Sequence, residues 1–131
     1  MKVIDASVIC CAVGDDTELG DRVRSYLRLV GRLLVPDIAH VEVLSALRRQ
    51  WMAGNLTDGR LDKAVASLGM LPLVRYSTVE ALTRIYELRT NVSAYDAAYV
   101  WLAETTGNDL VTADRRLARA PQLRCGVHVI D

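Results

Sequence analysis

Short apolar runs that end on a carboxylate, a proline or a hydroxyl alternate along this chain with amphipathic stretches of ten or more residues. That alternation is the pattern of an α/β domain whose parallel sheet is covered on both faces. The runs are Lys2 to Ile4, Leu33 to Val35 before Pro36, Leu73 to Arg75 after Pro72, Leu110 to Thr112 and Val127 to Ile130. They show too little polar alternation for strands with one wet face, so five buried strands are expected.

Helices are expected between them. Thr17 to Val30 repeats Leu19, Val23, Leu27 and Val30 at helical spacing. Pro36 to Trp51 repeats Val43, Leu44, Leu47 and Trp51, with Pro36 suited to a first helical turn. Thr57 and Asp58 cap a stretch to Met70 carrying Leu61, Val65 and Leu68. Thr78 opens a helix through Leu82, Ile85 and Leu88, and Ser93 another up to Gly107. Asp114 caps a last short one before Pro121. The faces carrying Leu19, Val23, Leu27 and Leu61, Val65, Leu68 are apolar enough that one is expected to stay open for a partner chain or a second copy.

With 131 residues, 51% of them hydrophobic and 24% charged, the chain supports one core, and a single domain over residues 1–131 is expected. The longest nearly apolar run, Ala6 to Val13, is too short to span a bilayer. Asp5 interrupts the apolar stretch a signal peptide needs, so a cytoplasmic protein is expected. Cys10, Cys11 and Cys125 form no metal knuckle and read as reduced core fillers.

The chemistry lies in the carboxylates. Ligands of open parallel sheets bind beyond the carboxyl ends of the strands. Asp5 follows the first strand directly, with Ser7 two residues on, and Asp114 follows the fourth beyond Thr112. Asp96 falls in the first turn of its helix, and Glu42 early in the helix after the second strand. Each also has a plain reading, as a helix N-terminal or exposed acid, and Ser7 and Thr112 as local caps. Four such acids converging repel one another and call for a hard cation, and oxygen-only ligation favours Mg²⁺ or Mn²⁺ over zinc.

Formal charge is zero, from 16 acids and 16 bases, which excludes bulk electrostatic capture of nucleic acid. Reserving four acids for a cation leaves 12 against 16 bases, compatible with an anionic substrate. Fourteen of the bases are Arg, suited to phosphate contacts or simply a product of genome composition. Arg115 and Arg116, beside Asp114, are the candidate substrate contacts, with a solvated helix face as the other reading. His40 lies about 200° around its helix from Glu42, and His128 has no carboxylate motif beside it. Trp51 and Trp101 fit apolar stripes.

Ile4-Asp5-Ala6-Ser7, Val41-Glu42-Val43 with Ala46-Leu47-Arg48-Arg49, Tyr95-Asp96-Ala97-Ala98-Tyr99 and Val111-Thr112-Ala113-Asp114-Arg115-Arg116-Leu117 together resemble the PIN-domain ribonucleases, most closely the VapC toxins of type II toxin–antitoxin modules. The resemblance implies a five-stranded parallel sheet in the order 3-2-1-4-5 and metal-dependent endonucleolytic cleavage of RNA with Mg²⁺ or Mn²⁺. It makes Asp5, Glu42, Asp96 and Asp114 the acidic site, with Asp5, Asp96 and Asp114 as metal ligands and Ser7 and Thr112 holding them. It also implies a VapB-type antitoxin whose C-terminal segment crosses the groove, and a homodimer.

Competing folds fare worse. A phosphate-accepting receiver domain needs paired acids after strand one and a lysine near the last strand, whereas Asp5 is alone and Lys2 and Lys63 are misplaced. A haloacid-dehalogenase-like phosphatase wants an Asp where Ser7 stands, and no Gly-rich phosphate loop exists. An inactive PIN-like module that only binds a partner chain is the alternative of another class.

Overall fold

A computed structural model describes residues 1–131. The chain runs β1 (Lys2–Ile4), α1 (Ala6–Gly14), α2 (Glu18–Leu29), β2 (Leu33–Pro36), α3 (Ala39–Met52), α4 (Asp58–Met70) and β3 (Leu73–Tyr76). A 3₁₀ turn (Val79–Ala81), α5 (Leu82–Glu87), α6 (Ala94–Thr106), β4 (Leu110–Thr112), α7 (Arg115–Ala118) and β5 (Val127–Val129) complete it. All strand pairs are parallel, in the order β3-β2-β1-β4-β5.

Strand composition accounts for strand position. Every residue of β2 and β4 is buried, as are Val3 and Ile4 of β1, and these three strands occupy the centre. β3 and β5 each leave a residue exposed and form the edges. The chain moves outward from β1 to β2 and β3 on one side, then returns to place β4 and β5 on the other. The junction between β1 and β4 is therefore the point where neighbouring connections diverge, the place such sheets offer a ligand.

Helix α6 lies against β1, β2 and β4. It is buried on most sides, with Ala97, Ala98, Tyr99, Val100, Leu102 and Ala103 all inaccessible, so its sequence carries only a weak polar face. Its ends are capped as the sequence implies. Ser93 Oγ accepts from the backbone N–H of Asp96, and Gly107 ends the helix in the left-handed region at φ 67°.

The structure departs from the sequence reading in four places. Pro36 closes β2 instead of opening a helix, and α3 starts at Ala39. Pairing of β2 with β1 ends at Leu34, so Pro36 owes no hydrogen bond on that side, and Asp37 N–H donates to Tyr76 O at 2.8 Å. The run Ala6 to Val13, assigned no element, is the helix α1; it is apolar all round and has no helical period to read. The helix expected from Thr78 is broken into a 3₁₀ turn and the six-residue α5. The two apolar faces, of which one was expected to stay open, are both largely closed: Val23, Leu27 and Leu68 are buried, Leu19 and Leu61 half-buried, and only Val65 is exposed. Exposed apolar side chains gather instead on the segment after β3, at Val79, Leu82 and Tyr86.

The cysteines are free, half-buried and packed against the core. Burial pushes the Cys10 thiol up to about 12, which keeps it protonated. No helix is long and apolar enough to cross a membrane.

Candidate active site

Asp5 is the first residue past β1, and the register that pairs Ile4 with Val111 sets it beside Thr112. It caps α1: Oδ1 accepts from Val8 N–H at 3.1 Å and from the Ser7 hydroxyl at 2.5 Å. Oδ2 accepts from the Thr112 hydroxyl at 2.5 Å. Each hydroxyl is itself fixed by a backbone donor past β4, Ala113 N–H on Ser7 and Asp114 N–H on Thr112, both at 2.9 Å. Asp5 and Thr112 are the buried polar residues of the chain. Burial raises the Asp5 carboxyl above its ordinary value; the three donors oppose that, and nearby Asp96 adds to it.

Asp96 sits in the first turn of α6, half-buried, and burial followed by the neighbouring Asp114 charge raises its carboxyl. Glu42, in the first turn of α3, is likewise raised by burial, with Asp96 and Asp5 adding to the effect. Its Oε1 accepts from the hydroxyl of Tyr99 at 2.8 Å. Asp114 differs. It caps α7 through Arg116 N–H, and the Arg116 guanidinium grips both its oxygens at 3.2 and 3.1 Å, holding it below the usual carboxylate range.

The fold thus brings Asp5, Glu42 and Asp96 into mutual electrostatic range, with Asp114 next to Asp96, and sets Ser7 and Thr112 directly on Asp5. No three acidic, histidine or cysteine side chains close into a ready cage for an ion. The donor chemistry nonetheless suits a hard cation. All the groups are carboxylates near the carboxyl ends of the strands, Oδ2 of Asp5 keeps a lone pair beyond its one hydrogen bond, and the guanidinium on Asp114 is 91% exposed and free to be exchanged.

Two clefts flank the acids. One of about 720 Å³ is lined by Glu42, Ser45, Arg49, Thr78 and Tyr95, among others. Another of about 300 Å³ is lined by Asp96, Asp114, Arg116 and Arg119, with apolar neighbours. Of the two arginines singled out in the sequence, Arg116 faces the acids, whereas Arg115 is ion-paired with Asp131. His128 stacks on Tyr26 with ring centroids 5.3 Å apart, Trp51 Nε1 donates to Asp58 at 2.7 Å, and Trp101 is half-buried against the core. Sequence reasoning passed over Tyr99. Its signal was present: it lies three residues after Asp96, hence on the same helix face, and a buried tyrosine needs a partner for its hydroxyl.

A family model for the PIN domain matches residues 2–123. The chain belongs to that family. This PIN domain is 39% identical over 132 aligned residues to VapC ribonuclease Mb0985 of Mycobacterium bovis, spanning 99% of this chain and 98% of that protein. Its fold matches the crystal structure of VapC20 of Mycobacterium tuberculosis, described as a sarcin–ricin loop cleaving toxin, at a TM-score of 0.71 and 11% identity, over 91% of this chain and 94% of that one. VapBC2 from Rickettsia felis, bound to a DNA fragment from its promoter, matches at 0.69 and 12% identity, over 99% and 98%. Within the PIN domains the chain groups with the VapC ribonucleases.

Proposed function

We propose that this PIN domain is a Mg²⁺- or Mn²⁺-dependent endoribonuclease and the toxin half of a type II toxin–antitoxin pair, acting in the cytoplasm. The observation that carries the reading is Asp5. A carboxylate is buried at the β1–β4 junction, held by three donors yet still raised by burial and a like charge. Carboxylates raised by burial and a like charge in this way cluster at functional sites. Two relations support the ribonuclease assignment: 39% identity to a VapC ribonuclease over nearly the full length, and the four expected acids near the carboxyl ends of the strands.

Asp5, Asp96 and Asp114 are the residues to hold the cation, with Glu42 completing the acidic set. When bound, Mg²⁺ or Mn²⁺ supplies Lewis-acid stabilisation of phosphoryl oxygens and a water of lowered pKa. Ser7 and Thr112 fix the orientation of the Asp5 carboxylate. To hold the cation Asp114 would exchange its Arg116 partner for it, and the freed guanidinium would be placed to meet a phosphate. Arg49 in the larger cleft and Arg119 in the smaller extend a cationic path on either side of the acids. A VapB-type antitoxin crossing this groove and a homodimer through the apolar segment at Val79, Leu82 and Tyr86 complete the assembly.

The experiment is a melting curve with and without Mn²⁺ beside an RNA-cleavage assay. Saturating metal at a hundredfold excess over its dissociation constant raises stability by about 2.7 kcal/mol. Asp5→Asn and Asp96→Asn abolish that gain and cleavage together. Cleavage persisting in chelator with an unchanged melting curve contradicts the metal assignment, and no cleavage with any metal favours a module that only binds its partner chain.

A further inference from the structure

The structure assigns Tyr99 as the positioning residue for Glu42, tying α3 to α6 across the acidic site. The inference rests on the metal-nuclease reading and extends it to a residue outside the acidic set. Tyr99 is fully buried, and its side chain is among the largest so enclosed. Its one polar atom donates to Glu42 Oε1 at 2.8 Å, and no buried side-chain polar atom in the chain lacks a partner. It lies one helical turn after Asp96, so the residue that fixes Glu42 shares a helix face with the acid that faces it.

A glutamate has three side-chain torsions and would otherwise sample many placements at the cleft edge. Nothing else holds Glu42: no cation pairs with it, and Tyr99 is its single hydrogen-bond partner from another side chain. The phenol occupies Oε1 and leaves Oε2 for an ion or its water. Asp96 and Tyr99 belong to the same helix, so the hydrogen bond ties Glu42 to the element that carries Asp96. Tyr99 touches neither substrate nor cation. Partners of this kind, when removed, cost 10–100-fold in metal affinity or activity.

The test is Tyr99→Phe, which deletes the hydroxyl and keeps the ring. Mn²⁺ affinity is measured on the RNA-free protein by electron paramagnetic resonance, and kcat and KM on an RNA hairpin. We expect Mn²⁺ binding or kcat to fall 10–100-fold with KM for RNA unchanged and the melting transition still cooperative. In a Glu42→Ala background, where the acceptor itself is gone, the same substitution has no further effect. Wild-type values for Tyr99→Phe, or an equal loss in both backgrounds, overturn the inference. If Tyr99→Phe fails to fold, a fluorotyrosine at position 99 in the otherwise native chain reports instead. Its ¹⁹F resonance shifts on Glu42→Ala, and an unmoved resonance overturns the inference. A wild type that neither binds Mn²⁺ nor cleaves RNA defeats the underlying reading and the inference with it. A wild type that does both beside an indistinguishable Tyr99→Phe defeats the inference alone.

Discussion

The Thr112 hydroxyl donates to Asp5 Oδ2 at 2.5 Å while accepting from Asp114 N–H at 2.9 Å, so one side chain joins the acid after β1 to the acid after β4. Thr112→Val keeps the shape and removes both bonds, leaving a buried carboxylate oxygen without its donor and an amide without its acceptor. A loss of about 1–3 kcal/mol in urea unfolding is expected, with cleavage greatly reduced. Thr112→Ser, which retains the hydroxyl, recovers most activity. A valine variant as stable and active as wild type would remove the link from the account.

Away from the site, Arg84 grips Glu104 through two bonds of 2.8 and 2.9 Å, with both side chains nearly nine-tenths buried. Burial alone would raise the Glu104 carboxyl, but Arg84 and the Arg124 backbone N–H outweigh it and hold the carboxyl low. A depressed carboxyl contributes stability above its unfolded value, near 4.3, and loses it as pH falls through the folded value. Glu104→Gln is therefore expected to cost about 1.5–3 kcal/mol at pH 7. The gap to wild type narrows below roughly pH 4, where wild type gives up the pair and the variant has none to lose. Denaturant titrations at pH 7 and pH 3 that show the same gap would refute this assignment.

Arg116 is exposed, and its ion pair with Asp114 is solvent-screened. Arg116→Ala is expected to leave stability nearly unchanged. Its effect falls on RNA. With Asp5→Asn blocking cleavage, removal of the guanidinium weakens RNA binding and makes the salt dependence shallower, the slope of log K against log salt falling by about 0.7 for one lost contact to a single strand. An unchanged slope would place Arg116 off the RNA path.

The strands were legible because each is short and apolar, whereas their order came from the family resemblance and not from the strands themselves. Asp5 and Asp114 needed only their positions after β1 and β4. Two things were hidden for physical reasons. α1 is apolar on every face and gives no period, so its sequence did not separate a helix from a buried strand. The partner of Glu42 lies 57 residues away in sequence, and its pairing depends on how α3 packs beside α6. Pro36 misled because its fixed φ suits a strand end as well as a helix start, and only the end of β1 pairing decides between them. The apolar stripes of α2 and α4 read as open surface, yet α1, itself unread, packs against both.

With a cation held by the row of Asp5, Asp96 and Asp114, as proposed, RNA would be cut by an external water and not by its own 2′-hydroxyl. Neither histidine joins that row: His40 makes no side-chain bond to an acid, and His128 stacks on Tyr26. Mass spectrometry of the ends left on a defined RNA hairpin, cut by the wild-type chain in Mg²⁺ or Mn²⁺, tests this directly. A 5′-phosphate and a 3′-hydroxyl are expected, with no product from Asp5→Asn. A 2′,3′-cyclic phosphate that vanishes with His40→Ala would contradict it.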